Sequence, residues 1–277
     1  MAYMCENFGP ERKAMSSIGD IRIAFFDVDG TLLPFRRRDI TERTREALNA
    51  LQVSGVKIVV ATGRAPTIVP TFDGVNFDAY LTFNGSYCYT AEGEVVFSNP
   101  IPRHAVRAVV ENATAIGRPV IVSTVDDLAA NGADDDMRAY LDISGEPINI
   151  VENLDVVIEN NDVYQFSIGA TPAEHSLLVA GVPEAEVVAW WDRAVDVIPA
   201  RAGKGVGVRA LLDYYGIQAS QAIAFGDGHN DMSMLREVGC GVAMGNAHAD
   251  VKAEADAIAR SADDDGVYWY LKECGLI

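Results

Sequence analysis

A chain of 277 residues is long enough for one large or two modest domains, and its 49% apolar and 22% charged residues are those of a globular protein. Forty acidic residues against 22 basic ones, a net charge of −18, argue against a nucleic-acid or anionic-membrane binder, whose affinity rests on clustered Lys and Arg. No run approaches the roughly 18 apolar residues of a membrane span. The four scattered cysteines (Cys5, Cys88, Cys240, Cys274) suggest neither a zinc site nor a disulfide framework, so the expected location is a reducing cytoplasm.

Residues 1–20 carry Glu6, Glu11, Arg12 and Lys13 with no apolar h-region, and read as an N-terminal extension rather than a signal peptide. From there the pattern alternates. Residues 21–26 predict a strand, and 41–53 an amphipathic helix capped by Thr41 with Thr44, Leu48 and Leu51 on one side. Residues 56–61 and 79–83 predict two more buried strands. This β-α-β-α-β order marks a parallel sheet with right-handed crossovers. The middle changes character: 86–89 and 94–97 flank Ala91-Glu92-Gly93, a hairpin signal. A helix at 103–116, a strand at 119–123, an acidic and weakly patterned stretch at 126–136, and a strand at 164–169 follow. A helix at 172–181 and short strands at 186–191 and 195–199 complete an α+β module, expected to carry its helices on one face. Asp134, Asp135 and Asp136 are expected to be solvated, and Trp190 and Trp191 to serve packing. From 203 the α/β pattern returns, with helices at 203–215, 231–238 and 267–274 and strands at 222–225, 241–244 and 257–259. The expected fold class is therefore α/β, a Rossmann-like parallel-sheet core at 1–85 and 201–277 interrupted by an inserted α+β domain at 86–200.

Polar clusters fall where this pattern puts the carboxyl ends of core strands, or a helix start facing them. They are Asp27-Val-Asp29-Gly30-Thr31, Thr62-Gly63-Arg64, Lys204, and Gly226-Asp227-Gly228-His229-Asn230-Asp231. In a parallel sheet such loops share one edge, which is where ligands bind. Read chemically, the set suits phosphoryl transfer through an aspartyl nucleophile. An anionic nucleophile approaching an anionic phosphate calls for a Mg²⁺ held mainly by carboxylates. Thr62 can offer its hydroxyl and Gly63 its N–H to phosphate oxygens, and Lys204 a point charge. Asp231, four residues after Asp227, can orient Lys204 or bind a metal-coordinated water. Thr31 caps a turn, and Arg64 is either a substrate contact or half of a surface ion pair.

Taken together the motifs Asp27-x-Asp29-x-Thr31, Thr62, Lys204 and Gly226-Asp227-x-x-Asn230-Asp231 resemble those of the haloacid dehalogenase superfamily, in order and across about 20–85 and 201–275. The place of the insertion, Asn84-Gly85 before it, and the tail from Gly241 to Asn246 with Asp250 and Asp256 are similar to the Cof-type branch with a C2-type (IIB) cap. The resemblance implies Asp27 as nucleophile and Mg²⁺ ligand, and Asp29 as general acid and base with its backbone carbonyl on the metal. Asp227 would be the third protein ligand, Thr62 and Lys204 would hold the phosphoryl group, and Asn230, Asp231 and Asn84 would complete the site. An acid at Asp29 favours phosphate esters over halides, since halide leaves unprotonated. The implied substrate is a small phosphorylated metabolite, sugar phosphates foremost, with no nucleic acid and no membrane as partner. A phosphomutase-type transferase and a non-catalytic ligand-binding protein remain as alternatives.

Overall fold

In this computed structural model residues 20–35, 37–144, 148–189 and 191–277 are described; the extension expected at 1–20, save Asp20, and Trp190 lie outside the described residues. Ile23–Phe26 forms β1, and all four of its residues are fully buried. Such a strand must be covered on both faces, which a parallel sheet between helical layers provides. Thr41 accepts a hydrogen bond from the Thr44 backbone N–H and so starts α1 (Glu42–Val53), which buries Thr44, Ala47, Leu48 and Leu51. β2 (Lys57–Ala61) and β3 (Ala79–Thr82) follow in parallel. After the second sheet the chain returns through α6 (Lys204–Tyr215), β11 (Ala222–Gly226), α7 (Met232–Glu237), β12 (Cys240–Ala243), α8 (Ala249–Glu254), β13 (Ala257–Ile258) and α9 (Gly266–Glu273). Gly216, in the left-handed region, closes α6. Phe26 on β1 stacks on Phe225 on β11, with ring centroids 5.3 Å apart.

The larger sheet has eight strands, ordered β13-β12-β11-β1-β2-β3 and then two antiparallel strands at one edge. These two are β4 (Tyr87–Thr90) and β5 (Val95–Ser98), the hairpin that the sequence reading assigned to the insertion. That assignment is corrected: β4 pairs with β3 along its whole length. Tyr80 on β3 stacks on Tyr89 on β4 at 5.1 Å, and such cross-strand aromatic pairs fix a hairpin to its neighbour.

Residues 103–199 build the second sheet, ordered β7-β6-β8-β10-β9 and antiparallel throughout. Its strands are β6 (Val120–Ser123), β7 (Leu128–Ala130), β8 (Gln165–Gly169), β9 (Ala185–Val188) and β10 (Ala194–Pro199). One face packs on α2 (Arg103–Ala115), α4 (Leu154–Asn160) and α5 (His175–Leu178) through Val109, Ile158, Leu178, Val122, Phe166 and Val197, among others. The expectation of helices on one face only does not hold. α3 (Asp135–Ser144) lies against the opposite face, where Met137 meets Ile121 and Ala130.

The acidic run is not simply solvated either. Asp134 accepts from the Met137 N–H at the start of α3, and Asp134 and Asp136 both receive Arg118. Arg118 also forks onto Glu174 at 3.0 and 2.9 Å, which holds that carboxyl down at about 2. A depressed folded-state value stabilises the fold above the ordinary range and loses that contribution as pH falls through it. Glu174→Gln is therefore expected to cost about 1–2 kcal/mol near neutrality for this partly buried fork. The gap between the two proteins in urea unfolding should close between about pH 4.5 and about pH 2.

Among the described residues no helix is long and apolar enough to cross a membrane.

Candidate active site

The carboxyl ends of β1, β2, β3, β11 and β12 deliver the polar residues to one edge. Asp27 follows β1 directly, its N–H bonded to the Phe225 carbonyl of β11. The chain then turns sharply, with Leu33 N–H donating to the Val28 carbonyl and Gly30 N–H to the Leu33 carbonyl. Gly30 has φ +89°, and a Cβ there would lie 2.2 Å from Asp227 Oδ2. Only glycine allows that turn with the Asp227 loop packed against it.

Lys204 opens α6 and is completely buried. Its ammonium donates to Asp27 Oδ1 at 2.6 Å and to Asp231 Oδ1 at 2.5 Å. Asp231 is fully buried too, and its second oxygen accepts from the Asp227 and Gly228 backbone N–H groups at 3.0 and 2.9 Å. Both oxygens of Asp231 are thus spent on aiming Lys204 and shaping the loop. Burial alone would pull the Lys204 ammonium down, but Asp231 and Asp27 outweigh it and raise it.

Ligand oxygens of Asp27, Asp227 and Asp231 lie within 4.8 Å of one another, all three residues buried. Three carboxylates face one ammonium. Burial first, and Asp231 next, push Asp27 well above the usual carboxylate range and Asp227 up to about 7, against the opposing pull of Lys204. An all-oxygen, over-acidic cluster of this kind fits a hard divalent cation, whose charge would restore the ionised forms. Thr31 and Asn246 hold Asp227 in place: Thr31 Oγ1 donates to Oδ1 at 3.4 Å, and Asn246 Nδ2 donates to Oδ2 at 3.0 Å.

Thr62 is 1% exposed, and its Oγ1 accepts the Arg64 N–H at 3.1 Å, which leaves its hydroxyl proton available to an anion. Asn84, at φ +52°, sits so close to Gly63 that a Cβ on Gly63 would be 3.0 Å from its Nδ2. Its Oδ1 accepts from Asn230 Nδ2 at 3.0 Å, tying the second and fourth motifs together. Asp29 stands apart from the buried cluster. Arg64 grips its carboxylate with two bonds, Nε to Oδ2 at 2.9 Å and Nη2 to Oδ1 at 2.8 Å. The Asp29 side chain is 44% exposed and Arg64's 20%.

The structure brings every sequence-derived site residue to this edge: Asp27, Asp29, Thr31, Thr62, Gly63, Asn84, Lys204, Asp227, Asn230 and Asp231. Two polar residues of the edge were not on that list. Arg64, by sequence either a substrate contact or half of a surface pair, grips Asp29, and its place straight after β2 is the available signal. Asn246 lies in the tail from Gly241, and also donates to the Gly30 carbonyl at 2.8 Å. His229, within the fourth cluster, points outward to Asp250 at 2.6 Å.

Comparisons with known proteins converge on one family. The model of the haloacid dehalogenase-like hydrolases matches residues 24–271. The solved structure of the phosphatase BT1666 from Bacteroides thetaiotaomicron is similar with a TM-score of 0.88 and 29% identity, over 96% of this chain and 99% of that one. The subclass IIB sugar phosphatase BT4131 is similar with a TM-score of 0.84 and 32% identity, over 92% of this chain and 100% of that one. The 5-amino-6-(5-phospho-D-ribitylamino)uracil phosphatase YitU of Bacillus subtilis (strain 168) is 28% identical over 265 residues, 89% of this chain and 95% of that one. A family match across nearly the whole described chain, on a fold shared with subclass IIB enzymes, makes this protein a member of the haloacid dehalogenase-like hydrolases, of the phosphatase type.

Proposed function

We propose that the chain is a Mg²⁺-dependent phosphatase of small phosphorylated metabolites, sugar phosphates foremost, acting through an aspartyl-phosphate on Asp27. The observation that supports this most is the pairing of buried Lys204 with Asp27 and Asp231, while Asp29 waits outside the cluster on Arg64. A ligand-binding protein would gain nothing from so costly a set of buried charges. The substrates named for the relatives, a sugar phosphate for BT4131 and a phosphorylated ribitylamino-uracil for YitU, support the substrate class.

In this reading an Asp27 oxygen attacks phosphorus and the bond from phosphorus to the leaving alcohol oxygen breaks. Asp29 gives that oxygen a proton. A water deprotonated by Asp29 then attacks the acyl-phosphate at phosphorus, and Asp27 and inorganic phosphate are released. Thr62, the Gly63 N–H, Lys204 and Asn230 hold the phosphoryl oxygens while charge redistributes. Asp27, Asp227 and the Asp29 carbonyl are the groups that would hold Mg²⁺, which supplies the screening that lets an anion attack an anion. The second sheet serves as the cap that covers the leaving group. We place the protein in the cytoplasm, where its thiols stay reduced; Cys88, Cys240 and Cys274 form no disulfide among the described residues.

The test is phosphate release from a panel of small phosphate esters with Mg²⁺ or with EDTA. Release with Mg²⁺ and loss of at least about 100-fold with EDTA is expected, since removal of the cation leaves the nucleophile unscreened. Release that is indifferent to EDTA contradicts the metal assignment, and turnover only with an added sugar bisphosphate moves the assignment to a mutase.

A further inference from the structure

Asn246 lies at the site edge outside the four polar clusters, and its contacts are with the loops that carry the proposed metal ligands. β12 pairs with β11 up to Ala243 and Gly226, which places Asn246 three residues beyond the strand and beside Asp227. The residue is exposed, yet both donors and the oxygen of its amide are engaged. Nδ2 donates to the Gly30 carbonyl at 2.8 Å and to Asp227 Oδ2 at 3.0 Å. Oδ1 accepts the Ala262 N–H at 2.9 Å. Two acceptors on one side and a donor on the other fix which way the amide points. The backbone below it is pinned as well. Gly245 N–H donates to the Arg260 carbonyl at 3.0 Å, and the Gly245 carbonyl receives Lys252 of α8 at 2.7 Å.

Gly30 directly follows Asp29, whose carbonyl is proposed to hold Mg²⁺, and Asp227 is a second proposed ligand. One amide therefore spans the loop after β1 and the loop after β11, and sets the spacing of two of the three metal-holding groups. It also governs how Asp227 presents its carboxylate. Asn246 occupies a lone pair of Oδ2, and Thr31 one of Oδ1 at 3.4 Å. Gly30 closes in beside them, since a Cβ on it would stand 2.2 Å from Oδ2 and 2.8 Å from Oδ1. A carboxylate held at both oxygens cannot turn to offer both to one cation without breaking one of these bonds. That constraint separates two common hard cations. Mg²⁺ demands a near-ideal octahedron at about 2.0–2.1 Å, which a carboxylate offering one oxygen serves. Ca²⁺ takes about six to eight oxygens at about 2.3–2.6 Å and accepts both from one carboxylate.

We infer that Asn246 is a positioning residue that biases the site toward Mg²⁺ and against Ca²⁺, by fixing the spacing of the two loops and the single-oxygen presentation of Asp227. This inference rests on the metal assignment of the phosphatase reading above and adds a residue outside the ligands. Loss of the amide frees Asp227 to turn and unties the two loops. The small cation then loses its rigid frame, while the larger one adapts.

The test is calorimetric titration of MgCl₂ and of CaCl₂ into metal-free protein at fixed ionic strength, using the native chain, Asn246→Ala and Asp227→Asn. In Asn246→Ala the Mg²⁺ affinity should fall about tenfold, the scale for a group that orients a metal ligand. The Ca²⁺ affinity should fall by no more than about twofold. The ratio of the two dissociation constants should thus move toward Ca²⁺ by at least about fivefold, a readout independent of turnover. A ratio unchanged within about twofold, equal losses for both cations included, overturns the inference and marks a structural residue. Asn246→Ser, whose shorter side chain cannot span the two loops, provides the same comparison should the alanine variant fail to fold. Native protein that binds Mg²⁺ no better than Asp227→Asn overturns the metal assignment and this role with it. A native Mg²⁺ site that is lost in Asp227→Asn but indifferent to Asn246 overturns this role alone.

Discussion

Asp27→Asn is expected to abolish Mg²⁺-dependent phosphate release, by at least about 10⁴-fold in kcat, the scale on which loss of a nucleophile is felt. The substitution keeps the shape and the hydrogen-bond acceptor that Lys204 meets at Oδ1. It removes the carboxylate at the end of β1 that the proposed mechanism uses to attack phosphorus. It also removes a charge from a cluster where burial and Asp231 already work against ionisation of Asp27. The variant should therefore unfold in urea no more easily than the native chain. Full loss of turnover with undiminished stability separates chemistry from folding; retained turnover would reject Asp27 as the nucleophile.

Lys204→Met should fail in both respects. The ammonium is fully buried and is shared by Asp27 and Asp231. Its removal leaves three buried carboxylates without a cation, a change that costs about 3–5 kcal/mol when one partner of a buried ion pair is deleted. Activity should drop about 10³-fold through loss of the charge proposed to hold the phosphoryl group. Lys204→Arg should not rescue it, because a side chain with no exposed surface sits where a planar fork has no room. The checks are the urea midpoint and the rate at saturating Mg²⁺. A stable and active Lys204→Met would contradict the geometry of the site.

Most of the core was legible in the sequence because its strands are buried on both faces and read as unbroken apolar runs. Ile23–Phe26 and Ala222–Gly226 are examples, and the polar residues that end them could only lie at a sheet edge. That rule brought Lys204 to Asp27, 177 residues apart. The hairpin of β4 and β5 was visible as a hairpin, but which sheet it joins depends on Tyr80 meeting Tyr89, and no local pattern records that. α3 and α4 were missed for another reason. α3 opens in an acidic stretch whose charges are neutralised by Arg118 and Arg193 from other elements, and α4 is a short seven-residue helix. Arg64 escaped for a similar cause. A long cation after a strand has many possible partners, and only the folded loops choose Asp29.

The most direct measurement is the intact mass of the protein quenched in acid during turnover of a phosphate ester, followed by peptide mapping. An Asp29→Asn variant given an aryl ester would serve best, because that leaving group needs no proton and the variant lacks the proposed base that clears the intermediate. One added phosphoryl group is expected on the peptide that holds Asp27, present with Mg²⁺ and substrate and absent in Asp27→Asn. Steady release of phosphate by the native chain, with no phosphorylated peptide in either protein at any quench time, would contradict it.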